Sequence, residues 1–206
     1  MAPRARTLPR KVATQERSRA TVDAILEATA RILVKDGYDR ASTNRIADAA
    51  GVSIGSLYQY FPSKEALVAA LIERHMDKMW SLIRDAMVRT QGAPLRKAAR
   101  DLVRVMIEAH AVDPKLHKVI VEQVPRVGRL EHVYDVEANV TALTQAYLEA
   151  HRDEVRVRDL SMAAFVVVHI VEALTHAAVL MRPQILGEPL IDEITEVIVR
   201  YLQKPN

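Results

Sequence analysis

At 206 residues, half of them hydrophobic, the chain is long enough to bury a substantial core, and disorder is excluded as its default state. It has no cysteine, which rules out a disulfide framework, thiolate metal sites and cysteine-based catalysis. The net charge of +3 is uneven: residues 1–66 hold eleven Lys and Arg against seven Asp and Glu, or +4, while the remainder holds 18 against 19, or −1. Six Gly, nine Pro and no strand-type alternation, with plentiful Ala, Leu, Arg and Glu, predict an all-α protein.

The first fourteen residues read as a basic disordered arm. Arg4, Arg6, Arg10, Lys11, Arg17 and Arg19 face the single acid Glu16, a pattern suited to a polyanion and equally compatible with a merely soluble terminus. "MAPRARTLPRKVATQ" lacks the apolar stretch of a signal peptide, so a cytoplasmic protein is expected.

Val22, Ile25, Thr29, Ile32 and Leu33 then describe a first amphipathic helix, with Gly37 as its stop. Ser42 can cap a second, short helix to about Ala50, Gly51 can take the positive φ of a sharp turn, and Ser53 can cap a third helix reaching Tyr60. Pro62 interrupts. A long helix with one apolar face follows from Ser63 to about Arg89, and "QGAP" breaks it. Leu95 to Ala109 mark another helix, "LHKVIVEQV" a shorter apolar piece stopped at "PRVG", and Leu130 to Leu148 a further long helix. Leu160 to Met181 is apolar all round and approaches membrane-spanning length, but His169, Glu172 and His176 interrupt it, so burial against protein is expected and no membrane association. A last one-faced helix carries Ile191, Ile194, Val197, Ile198 and Tyr201.

The stretch "STNRIADAAGVSIGSLYQYFPSKEAL", from Ser42 to Leu67, concentrates Tyr58, Tyr60 and Phe61 in a chain with nine Phe, Trp and Tyr in all. Small Ala47 and turn-forming Gly51 fall where two helices must pass closely and bend, with Ile46, Val52 and Leu57 as the apolar contacts between them. A DNA-binding helix-turn-helix makes those demands, and an ordinary helical hairpin would satisfy them too. The exposed chemistry separates the two. Ser42, Thr43, Asn44 and Arg45 place hydroxyl, amide and guanidinium groups beside unpaired backbone N–H donors, a cradle for phosphate. Ser53, Ile54, Gly55 and Ser56 are compact enough for the third helix to approach base edges, where Gln59 can read adenine and Ile54 can touch a thymine methyl. Tyr58 and Tyr60 can donate to phosphates, core packing being the alternative for each, and Lys64 adds a charge.

With those residues in view, the stretch closely resembles the DNA-binding signature of the TetR family of transcriptional regulators, over roughly residues 15–70. The resemblance implies a helix-turn-helix domain over 15–62 and a helical ligand-binding and dimerisation domain over 63–206. It further implies a homodimer on double-stranded DNA, usually a repressor that leaves its palindromic operator when a small-molecule effector binds, and no enzymatic activity. By position in the motif, Ser42 to Arg45 fall at the phosphate-contacting start of helix two, and Ser53 to Tyr60 form the recognition helix. Arg45 departs from the pattern, standing where many members place a residue that closes a capping box on Ser42; Arg cannot accept that bond, which favours a direct phosphate role.

In the remainder, Met76, Trp80, Met106, His110, Gln123, Tyr134, Phe165 and His169 are candidate effector-pocket residues, plain core packing being the alternative for any one. The last two helices together suggest a self-complementary dimer seam. His169, Glu172 and His176, at i, i+3 and i+7, share one helix face and fit a polar dimer seam, an effector contact or a metal. A metal-assisted enzyme built on that triplet is the rival function; no matching ligand set stands out on another helix, and no cofactor is expected.

Overall fold

The computed structural model describes residues 16–127 and 131–204, with the backbone alone at 17, 122–127 and 131–134. The basic arm, and Gln123 and Tyr134 as pocket side chains, therefore lie outside the described residues. Among the described residues the chain is all-α: α1 (Glu16–Asp36), α2 (Thr43–Ala50), α3 (Ile54–Tyr60), α4 (Lys64–Thr90), α5 (Leu95–Ala111), α6 (Pro114–Val127), α7 (Glu131–Ala150), α8 (Leu160–Met181) and α9 (Glu188–Leu202), with a 3₁₀ turn at Pro183–Ile185. The expected break at "PRVG" comes late, because α6 runs through Pro125 to Val127. A proline in a helix removes one backbone hydrogen bond and does not by itself end it.

Two compact units are present, one drawn from Met1–Met76 and Lys115–Leu130, the other from Asp77–Pro114 and Glu131–Asn206. In the first, α1 presents Ile25, Ala28, Ile32 and Leu33, all buried, and α2 and α3 add Ile46, Ala47 and Leu57. Each is too short to hold its shape alone. Their ends are fixed locally: Ser42 Oγ accepts the Arg45 N–H at 3.4 Å, and Ser53 Oγ accepts the Ser56 N–H at 3.1 Å. Between them Gly51 sits at φ 68°, donating to the Asp48 carbonyl at 3.1 Å, while the Val52 N–H reaches Ala47 O at 3.0 Å. The loop after α1 is tied to α4, where the Tyr38 hydroxyl donates to Glu65 Oε1 at 3.0 Å and Lys64 Nζ donates to Tyr38 O at 3.0 Å, resting 4.0 Å from the tyrosine ring centre. A pair of buried imidazoles, His75 and His117, joins α4 to α6 with 3.0 Å between Nε2 and Nδ1.

In the second unit α8 packs against α5 and α7, and α9 packs on α5. Ile191, Ile194, Ile198 and Leu202 of α9 are each at most 4% exposed within the single chain. Much of the stripe expected as the α9 half of a dimer seam is thus used by the chain's own α5 and α8, with Val197 left 47% exposed. Arg96, Arg100 and Arg104 of α5 face Glu188, Asp192 and Glu196 of α9 in a row of exposed ion pairs, which set register more than they add stability. α8 is long and apolar enough to cross a membrane, but Ala163, Ala164, Val167, Val171 and Ala178 are buried among its neighbouring helices. The segment between α7 and α8 closes on the chain end through Arg156 N–H to Leu202 O at 2.8 Å and Lys204 N–H to Glu154 O at 3.1 Å.

A Cβ at Gly51 would meet no atom within 4 Å, so the cost of a side chain there is that of the left-handed backbone alone. Gly51→Ala is expected to destabilise the chain by about 1–2 kcal/mol, read as a lower urea midpoint at unchanged slope. An unchanged midpoint would mean that the turn relaxes to negative φ at no cost.

Candidate nucleic-acid interface

The helix-turn-helix has two distinct sides. Leu57, Tyr60 and Phe61 are 0%, 8% and 2% exposed, and they anchor α3 against the rest of its unit. Ser53, Ile54, Gly55, Tyr58 and Gln59 all face solvent, with Ile54 at 38% and Tyr58 at 40% unusually open for apolar and aromatic groups. A helix of seven residues that hides one side and offers small, hydroxyl and amide groups on the other has the form needed to enter a major groove. Gly55 adds closeness, since nothing but Ser53 Oγ, at 3.9 Å, lies near where its Cβ would stand.

Tyr58 and Tyr60 separate. Expected together on the DNA side, they stand two positions apart on a helix, and the structure turns Tyr60 inward with its hydroxyl donating to Ser18 Oγ of α1 at 3.3 Å. Its role is packing. Tyr58 remains outside, its hydroxyl 3.0 Å from Thr43 Oγ1. That bond, not foreseen from the sequence, places the phenol at the start of α2, beside exposed Ser42 and Asn44.

Arg45 and Lys64 are less free than expected. The Arg45 guanidinium turns back to Asp36 Oδ2 at 2.5 Å and donates to Arg40 O at 2.8 Å, while Lys64 is held by Tyr38. Arg45 thus braces the α1–α2 junction, and a phosphate must compete with Asp36 for it. The side chain is 49% exposed, so the competing pair is a weak one. The missing half of the capping box leaves the Ser42 contact long at 3.4 Å, but the cap is present.

The candidate pocket residues whose side chains are described differ in exposure. Met76, Met106 and His110 are buried core, Phe165 is half exposed on α8, and the His169 side chain is 37% exposed. A cavity of about 330 Å³ lies instead within the second unit, between the end of α4, the start of α5, α7, α8 and α9, lined by Met87, Leu102, Leu143, Tyr147, Val167 and Ile198 among others. None of the six candidates whose side chains are described lines it. Its polar groups are mostly spent: Thr144 Oγ1 donates to Val140 O at 2.8 Å, Thr90 Oγ1 to Ala86 O at 3.0 Å, and the Tyr147 hydroxyl to Ala93 O at 2.7 Å. Burial, and Glu154 nearby, push the Tyr147 phenol up to about 12, so it stays a donor.

The triplet on α8 also divides. His176 turns to His110 of α5, ring centres 4.7 Å apart and edge-on, and burial holds its pKa below the usual histidine value. His169 turns to Glu137 of α7, Nε2 to Oε1 at 3.0 Å.

Comparison with known proteins agrees with this geometry. Residues 25–71 match the family description "Bacterial regulatory proteins, tetR family", and residues 94–202 match "Tetracyclin repressor-like, C-terminal domain". The chain belongs to the TetR family. The uncharacterized HTH-type transcriptional regulator YuxN of Bacillus subtilis is 30% identical over 129 residues, covering 63% of this chain and 42% of its own length. The HTH-type transcriptional activator FasR of Mycolicibacterium smegmatis is 32% identical over 131 residues, covering 64% and 55%. The chain thus matches about half the length of these curated relatives. Among solved structures, a TetR family transcription regulator from Marinobacter aquaeolei superposes with TM-score 0.69 at 20% identity, over 92% of this chain and 99% of that one, which shows the same fold. The family is one of DNA-binding regulators.

Asp36→Asn weakens the hold on Arg45, because an amide cannot form the ion pair. This variant is expected to bind duplex DNA several-fold more tightly at low salt, measured by fluorescence anisotropy. A loss of affinity would show that Arg45 serves DNA binding only as a brace.

Proposed function

We propose that the chain is a dimeric, sequence-specific DNA-binding regulator, a cytoplasmic repressor that leaves a palindromic operator when a small molecule enters its C-terminal part. In this reading residues 15–62 bind DNA, the arm 1–14 adds electrostatic affinity, and 63–206 bind effector and partner. The observation that carries it is the two-sided α3, with Leu57 and Tyr60 anchored and Ile54, Gly55, Tyr58 and Gln59 offered outward. Within that face Gln59 and Ile54 read bases, Ser53 and Ser56 sit at the helix start, and Tyr58 with Thr43, Ser42 and Asn44 holds phosphate. Arg45 and Lys64 contribute positive charge from braced positions.

The dimer is proposed to form mainly through α8. Met162, Phe165, Ala173, Leu174, Ala177 and Met181 recur at helical spacing and all are exposed, Met181 at 78%, with Val197 of α9 at 47%. An apolar surface of that extent suits a self-complementary two-fold contact. Two recognition helices would then meet half-sites about one helical turn, roughly 10 base pairs, apart.

For the effector, the 330 Å³ cavity suits a compact, uncharged and largely apolar molecule, since among the described residues Tyr147 is the one ionisable side chain lining it. It touches Met87, Val88 and Thr90 in the last turn of α4, the helix whose first turn carries Lys64. A ligand favouring a shifted α4 would lower operator affinity by roughly 5–150-fold, the usual range of allosteric coupling.

Selection of bound duplexes from a random pool tests this directly, and it should return a palindrome. Affinity for it should fall steeply with salt, with on the order of six or more counterions released. Phe165→Glu should give monomers in sedimentation that still fold but lose the palindrome; an active monomer would contradict the dimer. Leu143→Trp, which fills the cavity, should lower operator affinity or abolish release by apolar ligands. A variant that binds and releases DNA normally would place the effector elsewhere.

A further inference from the structure

The α8 triplet acquires from α7 a ligand that the sequence alone did not reveal. His169 Nδ1 lies 2.8 Å from the Phe165 carbonyl, which can only accept, so Nδ1 carries a hydrogen. Nε2 faces Glu137 Oε1 at 3.0 Å, an ion pair in which Nε2–H donates to the carboxylate, so a cation bound here would take the place of that proton. Glu172, one turn further along α8, brings its carboxylate so that one ligand atom from each of the three residues lies within 4.8 Å of the other two. Fixing one imidazole nitrogen on a backbone carbonyl while the other faces outward is how proteins orient a histidine that ligates metal.

The charge balance points the same way. Two ionised carboxylates total −2, and the hydrogen that Nε2 shares with Glu137 brings the group only to −1. Among the described residues, Glu137 and His169 are the charged groups brought to Glu172 here. A dication that displaces that proton would bring the total to zero and take the lone pair on Nε2.

The spacing is close to what an ion needs. Ligand atoms about 2.0–2.1 Å from a tetrahedral ion stand roughly 3.3–3.4 Å apart, so the His169–Glu137 pair needs to open only slightly and Glu172 to move by a rotamer adjustment. All three side chains are partly exposed, leaving a way in for the ion and a place for water at the fourth position.

We propose that Glu137, His169 and Glu172 form a divalent-cation site of the zinc class, joining α7 to α8 beside the exposed ring of Phe165. One imidazole with two carboxylates favours a first-row transition ion over magnesium or calcium. His176 has no part in it, being committed to His110. The site does not depend on the DNA-binding reading, although it borders the α8 face proposed for the dimer.

The full-length chain, stripped with a chelator and then dialysed free of it, is titrated with zinc against a colorimetric competitor. One zinc per chain is expected, with affinity at least tenfold weaker in Glu137→Gln and in Glu172→Gln, unaffected by His176→Asn and not displaced by millimolar magnesium. Zinc should also raise the melting temperature of the parent chain and not of the glutamine variants, whose near-isosteric side chains keep the fold as judged by circular dichroism. Absence of binding, binding that both glutamine variants retain, or binding that His176→Asn abolishes would each overturn the assignment.

Discussion

Everything on the DNA side of this protein depends on the burial of Leu57. A seven-residue helix gains too little from its own hydrogen bonds to persist in water, so α3 exists because Leu57, wholly buried, and Tyr60 and Phe61, nearly so, are held by α1, α2 and the start of α4. Removing a buried leucine typically costs about 2–5 kcal/mol, which exceeds anything the helix could recover locally. Because the inner side carries that load, the outer side is free to be small and polar. Ile54, Gly55 and Gln59 face solvent and are available for recognition, while Ser53 also caps the helix.

The same economy of contacts recurs at the surface electrostatics. Positive side chains near the interface are each given a local acceptor: Arg45 has Asp36, Lys64 has the Tyr38 carbonyl, and Arg31 donates to the Ala49 carbonyl at 3.2 Å. Such exposed contacts are weak, so they orient a side chain without preventing its transfer to a phosphate. In the second unit the row of ion pairs between α5 and α9 similarly fixes how α9 lies, while Phe165, Leu174 and Met181 of α8 stay exposed in the single chain.

Local chemistry was legible in the sequence, and side-chain partnership across helices was not. Ser42, Gly51 and Ser53 announced their caps and turn because each acts within three or four residues of itself. The opposed directions of Tyr58 and Tyr60 were also available, since positions two apart on a helix lie about 200° around its axis and cannot share a face. Asp36 as the partner of Arg45 was hidden by the intervening turn, and Glu137 by its place on a different helix. The cavity was missed because it sits near the end of α4, at Met87 and Val88, whereas the aromatic and sulfur-bearing residues that drew notice, Met76 and Trp80, lie near its middle. A one-faced helix such as α9 gives no sign of whether its stripe meets its own chain or another; only packing shows that Ile191 and Ile198 are used at home.

The claim that the outer face of α3 reads DNA is tested most directly by measuring base preference position by position for the parent chain and for Gln59→Ala on the selected palindrome. Loss of the side-chain amide should flatten the preference at one base pair in each half-site, at a cost of roughly 1–3 kcal/mol there, and leave the other positions as they were. An unchanged preference at every position, with affinity either untouched or lowered uniformly, would show that Gln59 does not face the bases and that the groove is read from another surface.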